Sequence, residues 1–246
     1  VLVTFLSFVL FNIYGYTTSK SNQYILLAII ISIFGLPHGA LDSWVAKKHQ
    51  IYKNKIGFLF FNLTYISIVA GVLILWFFFP LISLILFLIF SGYHFSEDWK
   101  GSLLLIERFL FGLILISLPA FFNYNEINKI YNFLSYNQSQ NLLDAQYYLI
   151  PIFIIIIPYI LYKTYIKSKI HFIELLVLII SSYIFSAILY FTIYFCFLHS
   201  IRHYRNNLNY IHKKDFYSII KIVSINTFIV LILASSIYFL MPYQII

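Results

Sequence analysis

A run of 24 residues without a charged side chain, Ile56 to Phe79, constrains this chain more than any other feature. At ~1.5 Å rise per residue a helix of that length crosses the ~30 Å hydrocarbon core of a bilayer. Leu81 to Phe90 and Phe172 to Leu198 approach the same pattern. Inside a membrane only helices and closed barrels satisfy every backbone N–H and C=O, and no alternating strand pattern of a barrel is present. The expected fold is all-α, a polytopic transmembrane helical bundle. Only 10% of residues are charged, against roughly 25% in an ordinary soluble domain.

Apolar segments bounded by charge, proline or polar clusters fall at about 1–17, 24–46, 56–79, 81–99, 103–122, 147–165, 171–200 and 216–242. They make eight candidate helices, at least one of them kinked or broken. The first is expected to be retained, because Tyr16 to Lys20 lacks a small-x-small cleavage pattern. Asn123 to Gln146, rich in Asn, Gln, Tyr and Ser, reads as an exposed loop with one surface helix. No internal repeat or flexible linker divides the chain, so residues 1–246 form one integral-membrane domain.

The net charge of +8 comes from Lys and Arg scattered over short loops. That pattern excludes a nucleic-acid surface and fits anchoring against anionic lipid headgroups. Loops 47–55 and 163–171 carry seven lysines against four basic residues in 201–215, a small excess that favours the first group on the cytoplasmic side without fixing the orientation. Cys196 is the only cysteine, so a disulfide within the chain and a Cys-rich metal site are both excluded.

His199 and His203 stand four apart at the end of an apolar run, on one face of a helix. His38, in Pro37-His38-Gly39-Ala40-Leu41-Asp42, and His94, in Tyr93-His94-Phe95-Ser96-Glu97-Asp98, also lie toward the ends of apolar segments. Any one of them alone reads as a hydrogen bond between helices. Four together read as a metal site, since an ionisable side chain in a membrane is costly unless it works. Asp42, Glu97 and Asp98 stand three or four residues after a histidine and can hold an imidazole N–H from behind, or mark the interface. His49, His171 and His212 lie among loop residues and read as solvated; Arg202 and Arg205 read as lipid-phosphate contacts, and Trp99 as an interface anchor. Glu107, Arg108 and Glu174 must pair internally or snorkel.

Alternating crossings put the end of the seventh segment opposite the ends of the second and fourth. His199 can meet His38 and His94 only if the metal lies deep or the 171–205 stretch bends. His38 is nine residues before Lys47, roughly 13 Å and so near mid-membrane. The 171–205 stretch is too long for one straight crossing. Both devices are expected.

Three motifs, Pro37 to Asp42, Tyr93 to Asp98 and His199-Ser-Ile-Arg-His203, resemble together the Brp/Blh family of bacterial and archaeal membrane β-carotene 15,15'-dioxygenases. The resemblance spans most of the chain. Family members often carry glycine after His-Phe, where this chain has Ser96. The resemblance implies an Fe(2+) enzyme of the bacterial or archaeal cytoplasmic membrane that cleaves β-carotene with O2. The product, two molecules of retinal, is commonly passed to a rhodopsin. The ligands implied are His38, His94, His199 and His203, with no side-chain nucleophile. Imidazole suits ferrous iron, and a hydrocarbon substrate favours a pocket within the membrane. The alternative is a proton-coupled transporter using the same histidines and acids, although no paired broken helices occupy corresponding halves. A rhodopsin needs a buried lysine, and every lysine here sits in a loop or at a segment end.

Overall fold

The computed structural model describes residues 2–13, 19–40, 42–208 and 216–240. Among them all regular structure is helical. The order is α1 (Leu2–Ile13), α2 (Lys20–Ile30), a π-helical turn (Ile31–Gly35), α3 (Leu36–Ala40), α4 (Asp42–Lys48), α5 (Lys55–Phe78), and α6 (Pro80–Ser96) with a 3-10 extension (Glu97–Trp99). It continues with α7 (Leu105–Phe122), α8 (Tyr124–Ser135), α9 (Gln140–Tyr148), α10 (Ile150–Lys167) and α11 (Lys169–Ile184). The chain then runs through α12 (Ala187–Phe191), a second π-helical stretch (Thr192–Ser200), α13 (Ile201–Leu208) and α14 (Phe216–Leu240). By length and composition α5, α6 with its extension, α7 and α10 can each cross a membrane.

The tightest joint is between α6 and α7. A Cβ on Gly112 would lie 2.1 Å from the carbonyl oxygen of Gly92, so the two backbones touch. Small residues at a crossing let membrane helices gain dispersion contact that lipid cannot supply. After α6, Gly101 adopts a φ of +102°, which turns the chain into α7. Trp99 faces into the resulting core, wholly buried, edge-on to Phe111 and stacked on Tyr194. It is therefore a core residue and not an interface anchor; the 3-10 turn rotates its indole inward, while Lys100 next to it stays exposed.

The seventh apolar segment does not run as one helix. α11 stops at Phe185, which is extended, and Ser186 follows with the same non-helical ψ of 157°. α12 starts afresh with the Ser186 side chain accepting from the Leu189 N–H. Distant groups hold this turn. Asn123 donates to the carbonyls of Ser182 and Phe185 at 3.3 and 3.0 Å, and Glu126 accepts from the Ala187 N–H at 3.0 Å. Ser186 donates to Gln23 at 2.7 Å. Beyond the turn the chain comes back along α11, since Arg202 reaches Glu174 at 2.6 Å. The two arms form an antiparallel hairpin.

Asn123 to Gln146 holds two helices and not a loop. In α8 and α9, Ile127, Tyr131, Leu143 and Gln146 are buried. Ile127, Tyr131 and Leu134 recur at helical spacing, so the polar residues between them take the outer face. Trp76 of α5 donates to the Leu134 carbonyl at 2.8 Å and fastens this cap to the bundle.

Candidate metal centre

His94 lies in the last turn of α6 and His199 near the end of the second π-helical stretch. Their Nε2 atoms are 3.0 Å apart, with ring centroids at 4.7 Å and planes at 70°. His199 is buried and His94 is exposed, so the pair opens at the bundle surface on the His94 side. Behind it, His199 Nδ1 meets Asp98 Oδ2 at 3.0 Å. A buried carboxylate accepts here, so Nδ1 carries the proton and Nε2 turns its lone pair toward His94. Aromatic rings enclose the imidazole: Phe95 edge-on at 5.0 Å and Phe195 stacked at 6.0 Å.

The hairpin removes the difficulty posed by alternating crossings. Turning back at Phe185–Ser186 adds a pass, and His199 returns to the level of Asp98 and His94. The two π-helical segments also touch each other. A Cβ on Gly35 would lie 3.0 Å from Phe195 Cε1, so the turn that leads into Pro37 and His38 packs on the ring that stacks on His199. The close approach belongs to Gly35; a Cβ on Gly39 would meet nothing.

His203 follows one turn after His199 on α13, half-buried, close enough to His199, His94 and Asp98 to feel their charges. His38 falls in α3 and Asp42 at the start of α4; both side chains lie outside the described residues. Glu97 turns away from the imidazoles to pair with Arg108 of α7 and, at 3.7 Å, with Lys100. Among the described residues no three His, Cys, Asp or Glu groups gather as metal donors; the donors brought together are His94 and His199.

Some residues have roles that the sequence did not suggest. The Tyr194 hydroxyl lies 3.2 Å from Asp98 Oδ2. In an α-helix Tyr194 and His199, five apart, would point ~140° away from each other; π-helical i→i+5 geometry brings them to one side. Arg202 is engaged within the protein: it donates to the Asp98 carbonyl and to Glu174, both at 2.6 Å. His171 is half-buried, with Nδ1 2.6 Å from the Ser102 hydroxyl, so it is not a solvated loop residue. His49 is exposed as expected, and His212 lies outside the described residues. The acids of the apolar segments pair internally, Glu107 with Lys163 and Glu174 with Arg202.

The spacing of this pair suits two nitrogens on one divalent first-row cation, which takes further donors besides. Two imidazole nitrogens that each hold one ion at about 2.1 Å across a right angle stand about 3 Å apart. The structure has that spacing between two Nε2 atoms, one with its tautomer fixed from behind.

Comparison with known proteins agrees in one direction. A family profile described as Beta-carotene 15,15'-dioxygenase matches residues 29–245. A curated protein of that name from an uncultured marine bacterium, 66A03, is 29% identical over 186 residues, covering 72% of this chain and 66% of the relative, just under two thirds of its length. No solved structure matches. The family match takes in all four motif histidines and nearly the whole bundle, so this chain belongs to the beta-carotene 15,15'-dioxygenase family.

Proposed function

We propose that this chain cleaves β-carotene at its central 15,15' double bond with O2, giving two molecules of retinal, at an iron site within the membrane. The observation that carries this reading is the convergence of His94 and His199 through Nε2, with Asp98 on the far nitrogen of His199. Family membership and the name of the marine relative supply the substrate. His38, His94, His199 and His203 would hold Fe(2+), whose chemistry when bound is to let O2 react with a closed-shell double bond. Asp98 keeps His199 in one tautomer. Phe95, Phe195 and Tyr194 form an apolar wall that excludes water and suits a polyene. The exposed edge of His94 gives a lipid-dissolved hydrocarbon lateral access, with no passage through water. Retinal then leaves by the same route into the lipid of a bacterial or archaeal cytoplasmic membrane, where a rhodopsin takes it up.

The test is expression in cells that make β-carotene. Loss of orange colour with retinal on chromatography is expected, and Ala at His38, His94, His199 or His203 should abolish it with membrane levels unchanged. Orange cells holding folded, iron-loaded protein, or full activity in two of those variants, would overturn the reading.

A further inference from the structure

Asp98 holds His199, and something must in turn hold Asp98. Its carboxylate sits where a 3-10 turn follows α6, a short element with little rigidity of its own. The Arg202 guanidinium fastens that turn. Nη1 donates to the main-chain carbonyl of Asp98 at 2.6 Å and lies 3.7 Å from Oδ1, while Nη2 donates to Glu174 at 2.6 Å. Asp98, Arg202 and Glu174 side chains are 6%, 15% and 16% exposed, so bulk water does little to weaken these contacts. Three elements meet at one planar group: the turn after α6, α13, and α11 from the other arm of the hairpin. Charge also balances in the right direction. One guanidinium faces two carboxylates, which leaves Asp98 anionic strength for the imidazole N–H.

We infer that Arg202 and Glu174 are positioning residues that act through Asp98 to fix the Nδ1–H tautomer and ring orientation of His199. The fork geometry matters as much as the charge. A guanidinium addresses a carbonyl and a carboxylate on different helices at once in fixed directions, and an ammonium is a point charge that cannot. These contacts, together with the Tyr194 hydroxyl 3.2 Å from Asp98 Oδ2, bear on the tautomer whether or not a metal binds. Its consequence for metal affinity rests on the function proposed above.

The experiment uses the full chain in lipid nanodiscs, stripped of metal with chelator and carrying 15N-labelled histidine. The His199 resonances are assigned by their loss in His199→Ala. Wild-type protein should show His199 protonated at Nδ1 alone. Arg202→Gln and Arg202→Lys should each give mixed tautomers, and Glu174→Gln a smaller population of the second form. Cobalt(II) titration followed by its visible absorption should show roughly 10–100-fold weaker binding in both Arg202 variants. Arg202→Lys keeps the charge, so its helical content and unfolding midpoint should stay near wild type; with Glu174→Gln it carries the test if Arg202→Gln does not reach the membrane. A His199 that keeps one Nδ1–H form in Arg202→Lys and Glu174→Gln overturns the inference. Mixed tautomers in a protein whose wild type binds no cobalt would uphold the positioning role and defeat the metal reading instead.

Discussion

Replacing Gly112 by alanine tests how the bundle brings His94 to His199. The new Cβ would lie 2.1 Å from the Gly92 carbonyl oxygen, which falls about 1.3 Å short of the 3.4 Å at which such contacts become ordinary. A main-chain atom cannot rotate away, so α6 must move off α7 by about that distance, at a cost of about 1–3 kcal/mol. α7 is meanwhile tied to the returning arm, because the Tyr190 hydroxyl donates to the Leu115 carbonyl at 2.8 Å. The displacement therefore falls on His94, two residues from Gly92, and opens its 3.0 Å approach to His199. Gly92→Ala is the comparison: its Cβ would meet the Leu113 side-chain end at 2.6 Å, which can turn aside, and the Leu113 nitrogen at 3.2 Å, so its cost should be smaller. Denaturant unfolding in detergent and retinal yield per milligram of folded protein would be measured for both. Gly112→Ala should be the less stable, and its yield per folded molecule should fall at least tenfold. Stability within about 0.5 kcal/mol of wild type together with an unchanged yield would refute the account of this joint.

Glu126→Ala removes the acceptor for the Ala187 N–H at the start of α12 and should cost about 1–2 kcal/mol, seen as a lower thermal midpoint; Glu126→Gln, which keeps an oxygen there, should lose less. Burial pushes the Tyr131 phenol up to about 12 from 10.0, against a lowering by its Gln146 hydrogen bond. The unfolded chain then gives up this proton first, so stability on the order of 2 kcal/mol is lost as pH rises through that window. Tyr131→Phe should flatten the fall in unfolding free energy between about pH 10 and 12, and an unchanged slope would count against it.

The apolar segments could be read from composition alone, because backbone satisfaction in lipid leaves the chain few options. That the 171–205 stretch bends could be read from its length; that it bends at Phe185–Ser186 could not. No proline or glycine marks it, and the groups that fix it, Asn123, Glu126 and Gln23, lie far away in the chain. The one local signal is Ser186 as an N-cap, submerged in an apolar run. Asp98 stood out by its distance from His94, yet its partner in the fold is His199, about a hundred positions on. Arg202 looked like a lipid anchor because sequence shows a charge at a boundary and not the half-buried Glu174 across the hairpin. Trp99 misled for the same reason: a tryptophan beside a lysine looks interfacial until a 3-10 turn swings it inward.

The second π-helical stretch makes this site a matter of helical winding as well as of residue type. Each residue in an α-helix advances the side-chain direction by ~100°, whereas the wider turn between Thr192 and Ser200 spreads one circuit over more residues. Winding that stretch as ordinary helix with every residue kept would carry His199 well past its present direction, away from Asp98 and His94, because seven steps of ~100° overshoot seven of the smaller π-helical step. A chain with an intact list of histidines and ordinary winding there would have lost the angular register in which His199 meets His94 and Asp98.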